Sequence, residues 1–420
     1  MNRYARHLPL VLLTTLVLGA LAGCHPNELG RLSATSTGDL SLGPAPPRPF
    51  AASLAAACGD GAVSDAGRAG FARLPYLQQV TDHSADVVWT TAAAAPSQVR
   101  AVGADGRELV AAGVTDESAP LPSGQRQLVA RFDGLAPGQV YCYSVESEGT
   151  RWLEPGGFRT APAPGAGTTV RLVVFGDTGT GGIDQVAVRD QLKNVDFDLA
   201  LLTGDIAFPD GSVEEYEKHY FGMYADFMRH APFFPASGNH EYTNGDGIAF
   251  RETQVLPENG GVDGRERWYS FDWGDLHVAV LDTEKVGPEQ AAWLDQDLTA
   301  NQRPWTIIVG HRPPYSSGVH GSDGAVRSAF GPVLARHHVP LVVNGHDHSY
   351  ERTTPQDGVT YIVAGGGGVG TRAVGHSDFT AFSQQVSHFV YVEISGDTLR
   401  AWAVDATGKT FDTVEMQRPR

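Results

Sequence analysis

Short hydrophobic runs punctuated by Gly, Pro, Asn and Asp dominate the chain from about residue 71 onward. Between 71 and about 160 the runs 86–91, 127–132 and 140–145 have β-type composition. In the last of them Tyr141, Tyr143 and Val145 fall on one side and Cys142 on the other, the two-residue period of a strand. These runs predict a small all-β sandwich over 71–162, and the Ala/Pro/Gly stretch 161–167 reads as a linker. From Val170 the runs become apolar throughout and each ends in a polar residue: 171–177, 199–205, 306–311 and 341–346. Such runs read as strands buried on both faces. Residues 288–299 show helical spacing, with Pro288 suited to a first turn and Ala291, Leu294 and Leu298 on one face. Buried strands alternating with helices predict an α/β domain over 163–420, closed by a hairpin whose strands flank Ser395-Gly396-Asp397. Trp89 and Trp293 are expected in the core.

The N-terminal 70 residues follow neither pattern. Arg3 and Arg6 precede the apolar run 8–21, which is too short for a confident membrane span and ends in Leu21-Ala22-Gly23-Cys24. Residues 1–24 therefore read as an export signal. Residues 25–70 are rich in Ala, Gly, Ser and Pro, with Pro44-Ala45-Pro46-Pro47-Arg48-Pro49 among them, and predict a low-complexity tether without chemistry. Cys58 and Cys142 would be free to pair in an oxidising compartment, but spacing alone leaves that open.

At 420 residues the chain has room for two folded units and a tail, and a net charge of −17 argues against a general nucleic-acid or anionic-membrane binder. An acidic protein still binds a phosphate ester where a cluster of cations reverses the local field. Candidates for such a cluster stand at the run ends. Asp177, Asp205, His311 and His346 close four buried strands, where open α/β sheets hold their ligands, and Asn239 follows the less regular run 232–238. Each is preceded by a glycine, at 176, 204, 310, 345 and 238. Carboxylate, imidazole and amide oxygen together suit a pair of borderline divalent ions, a carboxylate bridging ions about 3.5–4 Å apart.

Gly176-Asp177-Thr178-Gly179, Gly204-Asp205-Ile206-Ala207-Phe208, Gly238-Asn239-His240-Glu241, Val309-Gly310-His311 and Gly345-His346-Asp347-His348 resemble, in order, the five motif blocks of calcineurin-like metallophosphoesterases. The following Ser349-Tyr350-Glu351-Arg352, the glycine run 365–368 and the preceding β-sandwich are similar to purple acid phosphatases, whose N-terminal domain is fibronectin-type-III-like. The resemblance covers the chain from about 71 to its end. It implies a sandwich of β-sheets flanked by helices, preceded by the small all-β sandwich, and a hydrolase of phosphoric esters. It further implies two divalent or mixed-valence ions (Fe, Zn or Mn), with Asp177 and His348 on the first, Asp205 bridging, and Asn239, His311 and His346 on the second. A hydroxide held there would attack phosphorus in line. His240 matches the family's phosphate-contacting position, and His320 is the candidate for protonating the leaving alkoxide. The ending at Cys24 resembles the lipobox of bacterial lipoproteins, which implies lipidation of Cys24 and a membrane-anchored, exported protein; the alternative is a plain cleaved leader.

One position departs from the purple pattern. Phe208 stands where the family has its tyrosinate ligand, so six of seven expected ligands are present, and the purple charge-transfer band is not expected unless Tyr216, Tyr220 or Tyr242 substitutes. Asp347 and Asp282 read as structural, and Glu241 as a residue that orients a ligand histidine. His346-Asp347-His348 also resembles part of the metallo-β-lactamase motif, but Tyr350 and Glu351 occupy the places of its remaining Asp and His. Two other functions compete with a monoesterase: a phosphodiesterase on the same fold, and a surface-binding lipoprotein without catalysis.

Overall fold

The computed structural model describes residues 37–92, 96–117, 121, 124–262 and 264–419. Two four-stranded antiparallel sheets form the all-β region. One runs Phe71–Gln78, Ser84–Thr91, Arg126–Asp133, Val114–Thr115; the other runs Glu108–Ala112, Ser97–Gly103, Val140–Ser147, Thr150–Arg159. Both contribute to one apolar cluster in which Trp89, Val99 and Val145 are fully buried. The alternation read from residues 140–145 is present, with Tyr141 and Tyr143 buried and Cys142 only partly so.

Two larger sheets follow. A six-stranded sheet runs Phe233–Pro235, Leu199–Leu202, Val170–Phe175, His388–Ser395, Thr398–Asp405, Thr410–Gln417. Its first three strands are mutually parallel, and the expected hairpin adds the antiparallel remainder. A seven-stranded sheet runs Tyr269–Trp273, Leu276–Val280, Trp305–Val309, Leu341–Asn344, Thr360–Ala364, Tyr350–Thr353, Thr380–Gln384, parallel at its centre.

Side-chain alternation in this second sheet explains its layers. Val278, Val280, Ile307, Val309, Leu341 and Val343 join the main core, whereas Ala279, Ile308 and Val342 point the other way. The latter pack with Leu294 and Leu298 of the helix Pro288–Ala300 and with Val326 and Phe330 of the helix Gly324–Arg336. Each central strand is thus covered on both faces, as its uninterrupted hydrophobicity requires. Trp89 is core, but Trp293 is not: it lies half-buried at the margin of the helical layer, its indole N–H bonded to the Asn259 carbonyl. Helical spacing placed it one position off the buried stripe.

The all-β region docks on the α/β part through buried polar contacts. The Arg73 guanidinium pairs with Glu217, bonds to Gln127 and to the Thr253 carbonyl, and lies over the Phe221 ring. Tyr76 donates to the Thr253 carbonyl, Gln78 to that of Phe233, and Tyr143 to that of Arg229.

The tether expected over 25–70 differs from residue 37 onward. Asp39 N–H donates to Asp412, Ala45 N–H to Thr410, and Arg48 pairs with Glu393. Phe50 inserts its ring 4.4 Å from that of Phe197 and 5.0 Å from that of Phe227. Short helices at Ala52–Cys58 and Asp65–Gly70 follow, and Cys58 is disulfide-bonded to Cys142. The segment is a strap across both parts, held by a few isolated anchors that a compositional reading averages away. Cys24 and the leader lie outside the described residues. Among those described, no helix is long and apolar enough to cross a membrane.

Candidate metal centre

The carboxyl ends of parallel strands from both large sheets converge on one place. Val170–Phe175 leads to Asp177, Leu199–Leu202 to Asp205, Phe233–Pro235 to Asn239, Trp305–Val309 to His311, and Leu341–Asn344 to His346 and His348. Backbone bonds stitch the turns together: Asp177 N–H to Gly204 O at 3.0 Å, Gly345 N–H to His311 O at 2.9 Å, and Gly176 N–H to Ala364 O at 3.1 Å. Asp177, Asp205 and His346 adopt positive φ of 54°, 51° and 71°, a left-handed backbone that is unfavourable for residues other than glycine. Strain of that kind, of order 1–3 kcal/mol per residue, persists where the surroundings over-determine it, and it clusters at functional sites. Two glycines make the convergence sterically feasible. A Cβ on Gly238 would meet Asp205 Oδ1 at 2.2 Å, and one on Gly365 would meet Asp347 O at 2.3 Å and Asp177 Oδ2 at 2.8 Å.

The six candidate ligands lie together, in two subsets. Asp205 Oδ2 and Asn239 Oδ1 are each 3.2 Å from His311 Nε2, which is 3.2 Å from His346 Nδ1. One donor atom each from Asp205, His311 and His346 lie within 4.8 Å of one another. Beside them, His348 Nε2 is 3.5 Å from Asp177 Oδ1, and Asp177 accepts the His346 backbone N–H at 3.0 Å. The outward nitrogens reveal tautomers. His311 Nδ1 is 2.8 Å from the Thr203 carbonyl and His348 Nδ1 is 3.2 Å from that of Gly370. A carbonyl only accepts, so Nδ1 carries a hydrogen in both rings and Nε2 is the inward nitrogen available for ligation. His346 differs, because Arg312 Nη1 stands 3.2 Å from its outward Nε2. Ligation through its Nδ1 puts a hydrogen on that nitrogen, so the guanidinium must then give way.

Electrostatics fit a cation. Burial and the neighbouring Asp205 carboxylate raise the pKa of Asp177, although His311 opposes them. His311 is raised to about 10: burial alone would lower it, but the Asp205 and Asp177 carboxylates more than offset that. Burial together with the charges of His311 and Arg312 pushes His346 down to about 2. Two buried carboxylates thus hold a proton on His311 where a metal ion would supply the charge, while His346 stays neutral.

Glu241 was expected to orient a histidine. Instead its carboxylate accepts four backbone N–H bonds, from Asp205, Ile206, Ala207 and Gly238, at 2.7–3.2 Å, and so clamps two of the ligand turns together. Asp347 supports the neighbouring loop, accepting the Ser316 hydroxyl and the His320 backbone N–H. Asp282 accepts the Tyr242 hydroxyl and two backbone N–H groups. His240 lies at the rim, its Nε2 3.9 Å from Asp205 Oδ2 and its ring 4.0 Å from that of Phe208. Phe208 also faces His348 at 6.3 Å. Among the three tyrosines nearby in sequence, Tyr242 is committed to Asp282, and burial raises the pKa of the Tyr216 and Tyr220 hydroxyls. His320 stacks on His346 at 4.2 Å between ring centres and accepts from the Arg372 guanidinium. Arg312 and Arg372 had no signal in the sequence beyond following a ligand and a glycine run.

Residues 170–350 match the family model of calcineurin-like phosphoesterases. The chain's relatives include purple acid phosphatase 21 of Arabidopsis thaliana, 29% identical over 256 residues, which are 56% of this chain and 56% of the relative. A nucleotide pyrophosphatase/phosphodiesterase of Hordeum vulgare is 25% identical over 336 residues, 64% of this chain and 88% of that one. The chain spans about half the length of most of the curated relatives it matches. The purple acid phosphatase PPD1 from yellow lupin (Lupinus luteus) seeds shares the fold, with a TM-score of 0.70 at 21% identity over 82% of this chain and 74% of that one. The fold implies a dinuclear metal centre, and the buried Asp205, His311 and His346 are a group able to contribute to it.

Proposed function

We propose that this protein hydrolyses phosphate monoesters at a two-metal centre. The observation that carries the reading is the inward convergence of Asp205 Oδ2, Asn239 Oδ1, His311 Nε2 and His346 Nδ1 beside the Asp177–His348 pair. On this reading Asp177 and His348 would hold one ion, Asn239, His311 and His346 the other, and Asp205 would serve both. Bound ions supply water activation and neutralise charge on the phosphoryl oxygens.

The chain's own groups do the rest. Thr203 and Gly370 fix the imidazole tautomers, and Glu241 holds the turns of Asp205 and Asn239 at their spacing. His240, beside Asp205, would contact a phosphoryl oxygen, and His320, stacked on His346, would protonate the departing alkoxide. Phe208 removes an anionic oxygen donor, which disfavours a ferric ion and favours a divalent pair such as Zn or Mn. A protein that kept the fold without catalysis would be under no constraint to retain all six donors. We further propose export and lipid anchoring through Cys24.

The name of the barley relative favours a second reading, a phosphodiesterase. Turnover of p-nitrophenyl phosphate against bis-p-nitrophenyl phosphate by the metal-loaded protein separates the two. A higher kcat/KM on the monoester is expected, and a higher value on the bis-ester would reverse the assignment.

A further inference from the structure

The rim of the centre carries two guanidinium groups with different environments. Arg312 is committed to Glu284 in a two-pronged ion pair, Nε to Oε1 at 2.7 Å and Nη2 to Oε2 at 2.9 Å. Arg372 is fixed by its backbone, whose N–H donates at 2.8 Å to the carbonyl of His348, itself a candidate ligand. Its exposed side chain reaches over to His320 Nε2 and, among the described residues, meets no carboxylate. Arginines such as Arg48, Arg73 and Arg352 are paired with an acid, while a few other described ones, Arg107 and Arg126 among them, are not; what sets Arg372 apart is its contact with His320 at the rim of the centre.

We propose that Arg372 is a specificity-determining residue that recognises a second anion, a carboxylate or a phosphate, carried on the leaving group of the ester. The proposal rests on the phosphoesterase reading, which places His320 on the side from which the leaving group departs. On that reading, a guanidinium touching this histidine stands on the leaving-group side. One of its five N–H donors is engaged, so a fork remains for a planar carboxylate or a phosphate. In the overall hydrolysis a water oxygen bonds to phosphorus, and the ester P–O bond breaks with its electron pair going to the leaving oxygen. One water proton ends on that oxygen and the other on the released phosphate. Arg372 takes no part in these transfers and acts through binding, so its effect falls chiefly on KM.

The test uses three esters with the same three-carbon leaving group: 3-hydroxypropyl phosphate, 3-(phosphonooxy)propanoate and propane-1,3-diyl bisphosphate. For the metal-loaded full chain, kcat/KM on one or both charged esters should exceed that on the neutral ester by about tenfold or more, the scale of a charge-assisted hydrogen bond. Which charged ester leads identifies carboxylate or phosphate as the natural anion. In Arg372→Gln the preference should vanish through KM, and Arg372→Lys should restore part of it. Equal kcat/KM for all three esters in the wild type would overturn the proposal. So would a preference that survives Arg372→Gln, or a uniform loss in kcat on every ester with KM unmoved, which would mark Arg372 as a mere support for His320. No turnover of any ester by the wild type would overturn the phosphoesterase reading as well.

Discussion

Single residues decide the chemistry of the centre. Asp205 faces His311 at 3.2 Å and is clamped from behind through its own backbone by Glu241, so a change in its head group alters ligand chemistry while leaving the turn in place. Asp205→Asn should lower turnover of p-nitrophenyl phosphate by about 10²–10³-fold or more, the scale for loss of a group that stabilises transition-state charge. Full activity with two ions still bound would remove its bridging role. His311 supplies a second prediction. Its pKa of about 10 in the cation-free protein leaves it protonated at neutral pH, whereas ligation needs its Nε2 lone pair. Metal binding at pH 7 should therefore release about one proton from this ring, and affinity should rise with pH until about 10. Calorimetric titration of Zn²⁺ in buffers of different ionisation enthalpy measures the number; no proton release would contradict the placement of His311.

At the scale of elements, the strap made by residues 37–70 is the feature whose loss is simplest to measure. The Cys58–Cys142 bond closes a separation of 84 residues and ties the helix Ala52–Cys58 to the strand Val140–Ser147. Replacing both cysteines by serine should cost about 2–5 kcal/mol, read as a lower unfolding midpoint in urea that matches that of the reduced wild type. The strap also marks where the sequence was hard to read. Strands such as Leu199–Leu202 and Leu341–Asn344 were legible because burial on both faces demands unbroken apolar runs, and Asp177, Asp205, His311 and His346 were legible because each ends such a run. Phe50 and Leu54 are single apolar residues in an Ala/Gly/Pro background, and nothing in their spacing announces the surfaces they meet 100 or more residues away. The same limit hid Arg372 and the work of Glu241, since both depend on which turns the fold brings together.

For the molecule as a whole, Arg73 is the polar key between the all-β region and the rest. It is buried, its ion-pair partner Glu217 keeps 29% of its side chain in water, and its remaining donors reach Gln127 and the Thr253 carbonyl. Removing it strands Glu217 and two buried acceptors. Arg73→Ala should therefore cost about 3 kcal/mol, toward the low end for breaking a buried pair, because water still reaches Glu217. Differential scanning calorimetry should show the single transition broadening or splitting as the two regions uncouple; an unchanged thermogram would mean the apolar contacts suffice.

The family match ends at residue 350, but the two sheets do not. His388–Ser395 pairs along Val170–Phe175, and Thr360–Ala364 lies beside Leu341–Asn344, so both strands that deliver Asp177 and His346 have neighbours from beyond the matched segment. Asp412, fully buried in the last strand, accepts bonds from Tyr350 and Arg352, just past His348, and from the Asp39 N–H of the strap. A polypeptide cut to residues 163–350 would hold all six donors yet present two apolar strands with open hydrogen-bonding edges, the template for self-association. Such a fragment should sediment as large aggregates, whereas residues 37–420 should remain dispersed.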